Sequence, residues 1–155
     1  RLAPGAEVRF KHAYYIKCES FIKDSEGNVT EIHCTYDHET RGGWSQDGRK
    51  VKGTIHWVSA PDAVKCETRL YDHLFTKENP DDLAEGEDYK ANLNPDSLKR
   101  ASAFVEPFIK KAKPGERFQF DRTGYFCMDQ DSTADLPVFN RTVSLKDSWS
   151  KIAGK

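Results

Sequence analysis

The sequence predicts an all-β protein made of two small β-units, on three observations. Nine or ten short runs alternate apolar and polar residues with a period of two, and turn signals rich in Gly, Pro, Asn and Asp separate them. No stretch keeps a helical period beyond two turns. Lys77 to Asn94 interrupts the pattern with Pro80, Gly86 and six acidic side chains between Glu78 and Asp88. Short strands at this spacing belong to a sandwich or a barrel, and the acidic break argues for two units over one closed barrel.

The first strand pattern sets Val8, Phe10, His12, Tyr14 and Ile16 against Arg9, Lys11, Ala13, Tyr15 and Lys17, predicting one long half-buried strand. Phe21 and Ile22 lead into the turn Lys23-Asp24-Ser25-Glu26-Gly27-Asn28, and Val29 to Tyr36 returns, so residues 14–36 read as a hairpin. Asp37 to Asp47, with Trp44 inside it, is a polar Gly-rich loop. Arg49 to Ser59 follows as a strand, with Val51, Gly53, Ile55 and Trp57 on one buried face. After a turn at Pro61, Val64 to Tyr71 is a further strand. The acidic break holds at most a short helix around Asp81 to Leu83. Ser97 to Phe104 begins as either a strand or a helical turn, and Phe104 to Ile109 is strand-like, with Pro107 at an edge or bend. Beyond the turn Lys113-Pro114-Gly115-Glu116, Phe118 and Phe120 oppose Gln119 and Asp121 on a strand running toward Gly124. Tyr125 to Met128 is its hairpin partner, Asp129 to Asp135 a polar loop, and Val138 to Leu145 the last strand, before Trp149.

Hydrophobic residues make up 37% and charged residues 32% of the 155, with nine Phe, six Tyr and three Trp. That supports a modest core and excludes a disordered chain. The formal charge of -1 excludes little, because Arg1, Arg9, Lys11 and Lys17 meet only Glu7 before Cys18. A nucleic-acid surface is compatible with such a balanced total. Cys18, Cys34, Cys66 and Cys127 form no Cys-x-x-Cys pair and read as buried free thiols. Neither a signal peptide nor a membrane-length apolar run is present, which favours a reducing cytoplasm. The first residue is Arg1, with a strand pattern under way by Val8, so the chain reads as part of a longer protein.

No constellation asks to be an active site. The five histidines lack metal-ligand spacing with a third ligand, and there is neither a Gly-x-Ser-x-Gly elbow nor a Gly-rich phosphate loop. The expectation is therefore no catalytic, metal or cofactor-binding residue in this stretch. The positions of interest are polar side chains on strands. Arg9 and Lys11 are two apart and share a face, with Arg1 upstream. Arg forks onto two acceptors of a base edge, and Lys places a mobile point charge on a base or phosphate. Gln119 and Arg122 bracket Asp121 at a strand end. That set suits the donor and acceptor pattern of an unstacked base, and equally a surface salt bridge. Tyr14, Tyr15, Tyr125 and Phe126 are candidates for stacking or for the core.

Arg49-Lys50-Val51-Lys52-Gly53-Thr54-Ile55-His56-Trp57-Val58-Ser59 closely resembles a string of the class I glutaminyl-tRNA synthetases, within their C-terminal anticodon-binding region. Val8 to Tyr14, Cys34 to Asp37, Arg69 to Phe75, Asn94 to Leu98, Phe118 to Cys127 and Val138 to Asp147 resemble further segments of that region in the same order. The resemblance thus covers essentially the whole chain. Several of these motifs are shared with glutamyl-tRNA synthetases of the non-bacterial type, which is one alternative. A ribosomal 5S-rRNA-binding protein of the L25-like kind is another.

The resemblance implies two small L25-like β-barrels that grip the anticodon loop and splay its bases. A distal barrel would take residues 1–76, an acidic linker 77–95, and the remainder of a proximal barrel, incomplete through truncation, 96–155. Arg9 and Lys11 would read the first anticodon base, Lys11 standing where the family commonly has Arg. Gln119, Asp121 and Arg122 would form the pocket for the central uracil. Arg1 would contact the third base, a guanine, and Lys146 the anticodon backbone. The implied partners are tRNA(Gln) and an upstream catalytic domain of the same chain, with neither DNA nor membrane. The parent enzyme would ligate glutamine to tRNA with Mg-dependent ATP in the cytoplasm.

Overall fold

The computed structural model describes residues 2–145; Arg1, Lys146 and Trp149 lie outside the described residues. Nine strands run in order as β1 (Glu7–Phe10), β2 (Tyr15–Lys23), β3 (Val29–Asp37), β4 (Thr54–Ile55), β5 (Val64–Tyr71), β6 (Leu98–Val105), β7 (Arg117–Phe120), β8 (Gly124–Met128) and β9 (Val138–Ser144). Short 3-10 helices occupy His38–Thr40, Tyr89–Asn92 and Pro107–Lys111. The strands form two sheets, ordered β3-β2-β1-β4 and β6-β5-β9-β8-β7, in two compact units, Arg1–Trp57 and Val58–Lys155.

In the first unit the alternation from Val8 to Ile16 is two strands and a turn. His12 takes a left-handed backbone (φ 59°), and the Phe10 N–H donates across the turn to the Tyr14 carbonyl (2.9 Å). Val8 pairs with Ile16 in the ladder, so both share a face whether the chain runs straight or doubles back. Parity hides the reversal. The β2–β3 hairpin forms as expected, its turn held by the Asp24 carboxylate, which accepts from the backbone N–H groups of Glu26 (3.0 Å) and Asn28 (2.8 Å). The stretch from Arg49 to Ser59 contributes only the two residues of β4, parallel to β1. Trp57 is 40% exposed instead of buried, and its ring stacks on Phe10 at 5.5 Å. Arg49 has a structural partner set: its guanidinium meets Glu7 (3.3 Å), Asp47 (2.7 Å) and Asp37 and lies 5.2 Å over the Tyr15 ring. Buried Thr40 accepts from the Tyr15 N–H (2.8 Å) and donates to the Asp37 carbonyl (2.7 Å). These contacts fasten the 37–47 loop to the sheet.

The second unit is built on Val64, Cys66, Val105, Ile109, Phe126, Met128 and Phe139, all buried. Phe120 stacks on Phe126 (4.3 Å) and meets Phe139 edge-on (5.1 Å), so the Phe118/Phe120 face points inward as the alternation predicts. β5, which falls within residues 1–76, pairs along its whole length with β6 and therefore belongs to the second sheet. Residues 77–94 form a closed excursion. Phe75 bridges Leu93, and the Thr76 N–H donates to the Asn92 carbonyl (2.9 Å). Its helical turn is at Tyr89–Asn92 instead of Asp81–Leu83, capped by Asp88, whose carboxylate accepts from the Lys90 N–H (2.7 Å). Leu98–Val105 is a strand, whereas Pro107–Lys111 is a 3-10 turn because proline suits the first helical position.

The expected β-barrels are corrected by the sheet order. A barrel requires the first and last strands of a sheet to pair, with matched tilt and stagger. In the first sheet the terminal strands are β3 and β4, nine residues and two, and they pair only with β2 and β1. In the second sheet β6 and β7 end the order without pairing. Both described sheets are open. A two-residue strand offers too few backbone groups to close a ladder along a nine-residue edge.

Candidate nucleic-acid interface

The first candidate patch surrounds the β1–β2 turn. Arg9 lies on β1, half-buried, and its guanidinium is held from within: Nε and Nη2 donate to Thr54 Oγ1 (3.2 and 2.9 Å) and Nη1 to the Gly43 carbonyl (3.3 Å). Three of its five N–H donors are thus engaged, and two are not. A cation–π contact to Trp44 (5.4 Å) completes the setting, and that indole is 74% exposed. Gly43 permits the approach, since a Cβ there would stand 2.9 Å from Arg9 Cδ. Lys11 is not on the same regular strand as Arg9 but in the turn, braced through its backbone: its N–H donates to the Ile55 carbonyl (3.0 Å), and its carbonyl accepts from the Trp57 indole (3.1 Å). The most distinctive stretch of the sequence therefore buttresses a candidate reading residue.

The second patch is the β7–β8 hairpin, which brings Gln119, Asp121 and Arg122 together. Gln119 is exposed on β7, half-buried Asp121 begins the turn, and exposed Arg122 occupies its tip with a left-handed backbone (φ 60°). The Thr123 N–H closes the turn on the Phe120 carbonyl (2.9 Å). Gly124 follows where a Cβ would collide with the Val143 carbonyl oxygen at 2.6 Å. Gln119 pairs with Tyr125, and Tyr125 with Val143, so these three exposed residues cross three adjacent strands on one face. Tyr125 is 45% exposed, a flat aromatic surface beside the Gln119 amide.

Sequence reasoning passed over Trp44 as a loop residue and left Tyr125 open between stacking and the core. A lone Trp in a Gly-rich polar loop was the available signal for the first. For the second, parity with Gln119 across the hairpin was the signal. Among the described residues no group of three His, Cys, Asp or Glu is arranged to hold a metal ion, and no helix is long and apolar enough to cross a membrane.

Two family models, both described as the anticodon-binding domain of class I tRNA synthetases (E and Q), match residues 1–37 and 54–129. The chain belongs to that synthetase family, as part of its anticodon-binding region. The first matched span contains Arg9 and Lys11, and the second contains the 119–122 hairpin. The chain is 56% identical over 153 residues to the glutamine–tRNA ligase of Vibrio parahaemolyticus, 52% identical to that of Escherichia coli and 48% identical to that of Nitrobacter hamburgensis. Each alignment takes in 98% or 99% of the chain, which spans 27% of the length of these curated relatives. Within the family, this chain therefore corresponds to the region of anticodon-binding type, and the relatives' remaining length lies outside it.

Proposed function

We propose that the chain reads the anticodon loop of tRNA(Gln) for a glutamine–tRNA ligase, and that Arg9, Lys11, Gln119, Asp121 and Arg122 are its contacts, together with Arg1 and Lys146, which lie outside the described residues. The parent joins glutamine to tRNA in the cytoplasm with ATP and Mg2+; an upstream catalytic domain supplies that chemistry.

One observation carries the reading. The two non-glycine residues with positive φ among those described, His12 and Arg122, stand at the two turns that bear the candidate contacts. A left-handed backbone costs a non-glycine residue about 1–2 kcal/mol, and such strain gathers where a side chain must be aimed. Splayed RNA bases expose Watson–Crick edges that duplex RNA hides. Gln119 offers both a donor and an acceptor to such an edge, Arg122 offers donors, and Tyr125 offers a stacking surface.

The test uses the full-length ligase. Arg122→Ala is expected to reduce discrimination at the central anticodon base by about 1–3 kcal/mol in kcat/KM. Arg122→Gly, which suits the left-handed backbone, controls for folding. Equal losses for cognate tRNA and a central-base variant would overturn the assignment.

A further inference from the structure

Cys18 on β2 and Cys34 on β3 are direct partners in the antiparallel ladder, and both are free thiols. The backbone of Cys18 is committed to the opposite side: its N–H donates to the Ala6 carbonyl (3.2 Å), and its carbonyl accepts from the Gly5 N–H (2.8 Å). Both groups point away from β3, so Cys18 and Cys34 form a non-hydrogen-bonded pair. Such pairs hold their Cα atoms about 4.5 Å apart with side chains close, inside the ~4.4–6.8 Å window of a disulfide. A register shift follows immediately, between Cys18 and Ser20, and bulges of this kind bend a strand and re-aim its side chains. The sulfurs also sense each other: after partial desolvation, the neighbouring Cys18 thiol is the next cause holding the Cys34 thiol above its ordinary pKa, so the attacking thiolate is a minor form at neutral pH.

We propose that Cys18 and Cys34 are a reversible dithiol–disulfide modification site, oxidised by hydroperoxides. Cys34 is exposed and Cys18 is 2% exposed, which sets the roles. The Cys34 thiol gives up its proton and the thiolate attacks the O–O bond of hydrogen peroxide; the O–O bond breaks, a sulfenic acid forms, and the departing hydroxide takes the Cys34 proton and leaves as one water. The Cys18 sulfur then attacks the Cys34 sulfur. The S–S bond forms, the S–O bond breaks, and the hydroxyl leaves as a second water with the Cys18 proton. Two thiols lose two electrons and two protons, and one peroxide becomes two waters. The bond ties the outer strand β3 to β2 beside an open apolar groove of about 540 Å³, of which Cys34, Tyr14 and Tyr36 form part of the wall. No such juxtaposition exists for Cys66 and Cys127, which lie on β5 and β8 with β9 between them.

The experiment treats the full chain with one equivalent of hydrogen peroxide, alkylates the remaining thiols under denaturing conditions and digests it with trypsin without reductant. Cleavage after Lys23 separates the two cysteines, so the disulfide appears as peptide 18–23 linked to peptide 24–41. The expected result is that species as the main oxidation product, about 2 Da below the two reduced peptides together and abolished by dithiothreitol. In Cys18→Ala, treated with an excess of hydrogen peroxide so that a second equivalent is available, Cys34 is expected to advance through the sulfenic to the sulfinic acid instead. Alkylated Cys18 beside oxidised Cys34 in the native chain would overturn the proposal. So would links between copies, or a Cys66–Cys127 link in comparable yield. The native chain alone decides should the variant fail to fold.

Discussion

Arg49 shows how a single side chain organises a neighbourhood. Its hydrogen bonds hold Asp47 down to about 2, and they also hold Asp37 below the usual carboxylate range. A carboxylate whose folded pKa is depressed stabilises the fold above its unfolded pKa of about 3.9, and loses that contribution as pH falls through the folded value. Arg49→Met is therefore expected to lower stability at neutral pH and to flatten the decline between pH 4 and pH 2. Urea midpoints measured across that range check both effects; an unchanged slope would mean that Arg49 does not set these pKa values. Arg9 shares this doubled character, since Thr54 and Gly43 engage part of the guanidinium that the proposed function directs toward RNA.

At the scale of the element, the β7–β8 hairpin joins stability to presentation. Phe118 and Phe120 anchor it on Phe126 and Phe139, while the intervening Gln119 faces outward. Gly124 ends its turn with φ 155° and its Cα packed against the β9 backbone, where any Cβ would meet a carbonyl that has no flexible end to move. Gly124→Ala is expected to cost more than about 1 kcal/mol. It should also loosen β8 from β9 in hydrogen exchange and reduce central-base discrimination with Arg122 intact. Wild-type exchange at Tyr125 and Phe126 in that variant would refute the steric argument. The β1–β2 turn works by similar means, with Trp57 and Ile55 bonding the Lys11 backbone.

At the scale of the whole molecule, the apolar core of the second sheet includes fully buried Phe139, which β9 carries between β5 and β8. Phe139→Ala is expected to cost about 3–5 kcal/mol and to remove exchange protection from β5, β8 and β9. A loss below 1 kcal/mol by denaturant titration would contradict that core assignment. Much of this organisation was legible in the chain. Alternation identified the strands, Asp24 to Asn28 and Lys113 to Glu116 identified turns, and the parity of Phe118, Gln119 and Phe120 set the outward face of the second patch. These features depend on residues only a few positions apart, so sequence by itself determined them. The tertiary structure alone decided the reversal at His12, the reduction of the Arg49–Ser59 run to two paired residues, the open sheets and the exposure of Trp57 and Tyr125. Each of these depends on which distant backbone or side chain arrives as a neighbour, as when Arg9 meets Thr54 across 45 positions or Trp57 reaches the Lys11 carbonyl. Local periodicity records which face a residue takes, but the partners on that face come only with the fold.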